Sequence, residues 1–109
     1  MVIVLFKFRL REDIDTAEFE QTFVRMVGLA SEMPGFVSIE TYGAEDGAGL
    51  AIARFESEEA LQAWKTHPEH VLTQERGRED FFDSYHMTVT TSIIREYDFP
   101  QVETAAVVG

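Results

Sequence analysis

An α+β fold is predicted for this chain by three observations. Four stretches alternate apolar and polar residues or are dense in β-branched and aromatic side chains, as strands are. Two stretches between them carry apolar residues at helical spacing behind capping residues. Their order, strand, helix, strand, strand, helix, strand, is that of the ferredoxin-like plait.

The first strand is expected over Val2 to Leu10, where Phe6, Phe8 and Leu10 alternate with Lys7, Arg9 and Arg11. Its opening, Val2 to Phe6, is apolar on both faces. Asp15 then stands as the N-cap of a helix, with Glu18 three residues on to complete a capping box. Phe19, Phe23, Met26, Ala30 and Met33 form one stripe on that helix, and Met33-Pro34-Gly35 ends it. Phe36 to Tyr42 and Leu50 to Phe55 read as a hairpin. The glycines between them, Gly43, Gly47 and Gly49, belong to a plain turn, because a phosphate cradle would need a helix to follow.

Ser57 caps the next helix, with Glu58 and Glu59 in its first turn and Ala60, Leu61 and Trp64 on its apolar side. Pro68 breaks that helix and opens a second short one, capped by His67 and stopped at Gly77. From Phe81 to Phe99 the alternation reads as one long strand, which fully extended would span roughly 60 Å. A compact chain of this size is only about 35 Å across, so the strand is expected to cross onto a second copy of the protein. The two-sided apolar strands, Val2 to Phe6 and Leu50 to Ala53, point the same way, to a homodimer with the two sheets face to face.

The length of 109 residues suits one domain, expected over residues 1–99, with residues 100–109 as a loose tail. Twenty acidic against nine basic side chains give a net charge of −11, which repels phosphate backbones and anionic lipid and argues against nucleic-acid or membrane partners. No segment is apolar for long enough to span a bilayer, and a cytoplasmic location is expected. With no cysteine, thiolate nucleophiles and cysteine-held metals are excluded.

Met33-Pro34-Gly35-Phe36-Val37, Phe55-Glu56-Ser57-Glu58-Glu59-Ala60 leading into Leu61-Gln62-Ala63-Trp64, and His67-Pro68-Glu69-His70 together resemble the antibiotic biosynthesis monooxygenase superfamily. The likeness runs over about residues 2 to 98. It implies a dimeric α/β barrel of two ferredoxin-like protomers, and an activity among three kinds: cofactor-free oxidation of phenolic polyketides or quinols, oxidative haem degradation, or no assigned reaction. Haem-degrading members carry an Asn on the first strand, a Trp on the second helical segment and a His ten residues later. Here Trp64 is kept, but Lys7 and Gln74 stand at the other two places. The resemblance therefore points to a cofactor-independent monooxygenase acting with O2 on a small phenolic, quinol or polyketide-like aromatic. A non-catalytic ligand-binding or stress-related dimer, or a haem binder without the usual residues, are the alternatives.

Candidate site residues follow. Trp64 is either core or a pocket wall that stacks a flat ring and offers its indole N–H to an oxyanion. His86 is a candidate general base because its ordinary pKa lies near neutrality, and it points away from Tyr85 and Met87. Tyr85 could supply a phenolic donor. Lys7, between Phe6 and Phe8, either reaches water or meets an anionic ligand in a cleft. A cleft is expected between the first helix, the kinked helix pair and the sheet, walled by Trp64 and lined by Phe23, Met26 and Met87, with His70 and Gln74 as further substrate contacts. No metal is expected at His67, Glu69 and His70, because Pro68 disrupts the single helical face such a site needs.

Overall fold

A computed structural model describes residues 1–100. Strand β1 (Val2–Leu10) is followed by α1 (Thr16–Ser31), β2 (Phe36–Gly43), β3 (Ala48–Phe55), α2 (Glu58–Lys65), α3 (Pro68–Arg76), a π-helical turn at Gly77–Phe81, and β4 (Phe82–Thr90). The four strands form one antiparallel sheet in the order β2-β3-β1-β4, the predicted plait.

The caps read from the sequence are in place. Glu18 N–H donates to Asp15 Oδ1 at 3.1 Å, Ala60 N–H to Ser57 Oγ at 3.1 Å, and Glu69 N–H to His67 Nδ1 at 3.2 Å. The capping box is not: the Glu18 carboxylate turns instead to Arg76, which also reaches Asp80 at 3.1 Å and lies over the Phe81 ring. Arg76 thereby ties α1, α3 and the π turn together. Of the hairpin glycines only Gly47 lies in the turn, in left-handed backbone at φ 90°, with Ala44 N–H donating to the Ala48 carbonyl (2.9 Å); Gly43 and Gly49 pair with each other at the ends of β2 and β3.

Two expectations are corrected. Gly77 does not stop α3, since its backbone stays right-handed and the chain continues into the π turn. Its lack of a side chain serves packing, because a Cβ there would stand 2.8 Å from the Phe82 ring. The last strand is also shorter than the predicted Phe81–Phe99. Ile3 pairs with Thr90, and only Val2 remains of β1 beyond it, so β4 runs out of partner. Thr91–Pro100 has no regular structure in this chain and its side chains are exposed, Ile94 and Phe99 almost wholly. Apart from Pro100, the expected loose tail lies outside the described residues.

Register assigns each side chain to a face. Val2, Val4, Phe6 and Phe8 of β1 share theirs with Phe55, Ala53, Ala51 and Gly49 of β3, and this face carries the helices. Val2, Ala30, Phe55 and Trp64 form the buried core at one end of it. At the other end Phe8, Phe19, Phe81 and Phe82 cluster with ring centroids 5.2 to 6.2 Å apart. Among the described residues no helix lies over the opposite face.

Candidate active site

The Pro68 break decides what surrounds Trp64. The chain leaves α2 at Thr66 and re-enters a helix at Pro68, and this brings α3 back over the end of α2. As a result His70 stacks on the indole, with ring centroids 4.2 Å apart and planes at 13°, while His67 lies against the same indole at 5.6 Å. Trp64 itself is buried, packed on Val2, Ala30 and Phe55, so it walls no open cleft in this chain.

His70 is held by its main-chain neighbours. Its Nδ1 lies 3.1 Å from the Trp64 carbonyl oxygen. A carbonyl only accepts, so Nδ1 carries the proton and Nε2 is the ring atom with the lone pair. Gln74 Nε2 lies 3.3 Å from the same Nδ1 but donates to the Lys65 carbonyl at 2.9 Å. Burial pushes the His70 pKa below the ordinary histidine value; the Trp64 carbonyl pulls it the other way and His67 lowers it further.

On the same side of the sheet lies an open apolar row. Tyr85, Met87 and Val89 share the helix-bearing face with Phe8, Phe6 and Val4, yet 43%, 51% and 49% of each is exposed. The Tyr85 ring meets Phe6 at 5.2 Å and Phe82 at 6.1 Å, which anchors one end of the row in the aromatic cluster. Phe23 joins that cluster through Phe19 at 6.4 Å, and Met26 packs on the core around Trp64; both are half-buried. A shallow concavity also runs along α1, past Ala17, Gln21, Val24, Arg25, Gly28 and Leu29, and none of these candidate residues lines it.

The candidate residues therefore divide. Trp64, His70, Gln74, Phe23, Met26, Tyr85 and Met87 lie on the helix side. Lys7 and His86, paired with each other in register, lie on the other. Alternation makes this unavoidable: Tyr85 and His86 are adjacent in a strand and cannot serve one pocket. His86 and Lys7 thus lie apart from Trp64, on the other face of the sheet; the imidazole that reaches the indole is His70. Val89 was missed, although its place in the Tyr85, Met87, Val89 alternation was the signal for it.

The residues do not fit the haem-degrading pattern either. Lys7 is across the sheet from Trp64, and the Gln74 amide is engaged by the Lys65 carbonyl. Among the described residues no group of three or more His, Asp or Glu is placed to hold a metal ion, and no helix is long and apolar enough to cross a membrane.

Comparison with known proteins agrees with this architecture. The family model for antibiotic biosynthesis monooxygenases matches residues 1–76. The uncharacterized protein YqjZ of Bacillus subtilis (strain 168) is 34% identical over 80 residues, 73% of this chain and 69% of that one. Among solved structures, SnoaB, a cofactor-independent oxygenase from Streptomyces nogalater, superposes with a TM-score of 0.72 at 20% identity, over 92% of this chain and 97% of that one. Rv0793 from Mycobacterium tuberculosis gives 0.74 at 21% identity, over 86% and 96%.

Proposed function

The chain belongs to the antibiotic biosynthesis monooxygenase family, and from that premise we propose that it is an oxygenase that uses no cofactor and oxidises a small phenolic, quinol or polyketide-like aromatic with O2. The observation that carries this reading is the half-exposed row Tyr85, Met87 and Val89, left open on the same sheet side as the Trp64–His70 stack. A flat apolar substrate gains area and edge contacts from such a row, and an imidazole on the same side of the sheet supplies proton transfer, which is what an electron-rich phenol or quinol needs from the protein before it gives an electron to O2. SnoaB, of the same fold, is described as a cofactor-independent oxygenase, which supports the reading.

The proposal includes a cytoplasmic homodimer. The face without helices carries Ile3, Leu5, Leu50 and Ile52, with Leu5 36% exposed, around Lys7, Arg54 and His86. A second copy laid on this face covers the apolar side chains, and residues 91–99, which have no strand partner among the described residues, are left for that copy to pair with.

Oxygen uptake tests the activity directly. Incubated in air with anthrones, naphthoquinols and flavonoid-like phenols, the protein is expected to consume O2 faster than protein-free controls with at least one of them. Uptake at the control rate across the whole set refutes the oxygenase reading and leaves a ligand-binding dimer.

A further inference from the structure

We propose that His70 is the general base of this site, taking the acidic proton of the aromatic substrate on Nε2. The inference rests on the oxygenase reading above and adds to it the residue that moves the proton.

Three features of the geometry carry it. The first is the tautomer: with Nδ1–H directed at the Trp64 carbonyl at 3.1 Å, the lone pair sits on Nε2. The second is access. Nε2 has no hydrogen-bond partner among the described residues, and no fully buried side-chain nitrogen or oxygen there lacks one, so Nε2 is not sealed in the core. The third is rigidity, because stacking on a buried indole fixes the ring plane, and the Trp64 carbonyl fixes its rotation.

Burial disfavours the charged ring, which keeps His70 neutral and able to accept near pH 7. Once Nε2 is protonated, the Nδ1–H bond to the carbonyl becomes charge-assisted and stabilises the imidazolium. His67 cannot take the same part through Nδ1, since that atom accepts the Glu69 N–H at 3.2 Å. His86 lies across the sheet.

With an anthrone the step is a simple proton transfer. The C–H bond at the ring's methylene carbon breaks, its electron pair passes into the ring system as the enolate, and the proton binds to Nε2 to give an imidazolium. No electron leaves the substrate until O2 arrives. The base can therefore be tested without oxidation.

An anthrone is added anaerobically to the whole protein at pH 7, with binding followed by quenching of Trp64, the single tryptophan, and enolate followed by its visible absorbance. His70→Asn retains an amide N–H where Nδ1–H was but has nothing at Nε2; His70→Gln places an amide near Nε2 that does not take up a proton. Both variants are expected to quench as the parent does and to form bound enolate about a hundredfold more slowly. Enolate at the parent rate in both variants overturns the assignment, and so does loss of enolate in His86→Asn instead. Neither quenching nor enolate with the parent overturns both the site and the base. Enolate in the parent followed, on admitting air, by no O2 uptake overturns the oxygenase reading while His70 stands as the base.

Discussion

Replacing Gly35 with alanine will loosen the element that carries Trp64. Gly35 follows α1 with φ at 84°, in the left-handed region, and its carbonyl accepts the Glu56 N–H at 2.7 Å, fastening the α1–β2 connection to the start of the α2 segment. A Cβ at this position would stand 2.6 Å from the Ala60 Cβ, well inside contact distance. Ala60 cannot yield alone, because it sits in the first turn of α2 and packs on the Val2, Ala30, Phe55 and Trp64 core. The whole of α2 must move.

Two penalties add. An alanine held in left-handed backbone costs about 1–2 kcal/mol, and overpacking against a fixed neighbour costs about 1–3 kcal/mol. The stiffer unfolded chain returns about 0.4–1 kcal/mol. The net loss is about 2–4 kcal/mol, a large part of the 5–15 kcal/mol or so that holds a domain together. Urea unfolding followed by Trp64 fluorescence should show the midpoint falling by about 1–2 M. Ala60→Gly separates the two penalties, since it removes the clash and leaves the backbone strain. In that background Gly35→Ala should lose only about 1 kcal/mol, the strain less what the stiffer unfolded chain returns. Equal losses in both backgrounds mean that Ala60 is not what the new methyl meets. An unchanged midpoint for the single variant refutes the whole account of how this turn positions α2.

The His70 pKa is lowered in the folded state, so the unfolded chain binds the proton more readily, and stability should fall as pH drops from about 6.5 through the folded value. Unfolding midpoints at pH 5 to 8 test this: His70→Asn should flatten that part of the profile, and an unchanged slope would show that His70 titrates as it does in the unfolded chain. Trp64→Ala removes a buried side chain at the centre of the core and should cost about 3–5 kcal/mol by thermal unfolding followed by circular dichroism, with Trp64→Phe losing less. A loss below 1 kcal/mol or so for the alanine variant would contradict its packing on Val2, Ala30 and Phe55. Leu5→Glu puts a charge on the face without helices and should turn a dimer into monomers in sedimentation velocity, since an unpaired charge in such an interface costs several kcal/mol. A parent that sediments with the mass of one chain removes the dimer outright, and a variant that stays dimeric moves the interface elsewhere.

The elements legible in the sequence are those fixed by neighbours in the chain. Asp15, Ser57 and His67 cap the amide of a residue two or three positions on, and each such bond is present. The ends set by distant partners were not legible. Nothing between Thr90 and Phe99 marks the end of β4, because the end is set by where β1 begins, some 88 residues earlier. Gly77 marks a special backbone position, but its reason is the Phe82 ring, which the helix-stop rule does not weigh.

The site divides along the same line. Alternation alone separates His86 from Tyr85 and Met87, but only the pairing of Lys7 with His86 and of Phe6 with Met87 tells which set shares a face with the helices. The Trp64–His70 stack was out of reach for a different reason. Residues six apart on one continuous helix point about 240° from each other and never stack. Contact at 4.2 Å therefore requires that the helix be broken between them, and Pro68 is that break. The proline that argues against a metal site on one helical face is the same residue that folds His70 back onto the indole and leaves its Nε2 free to act.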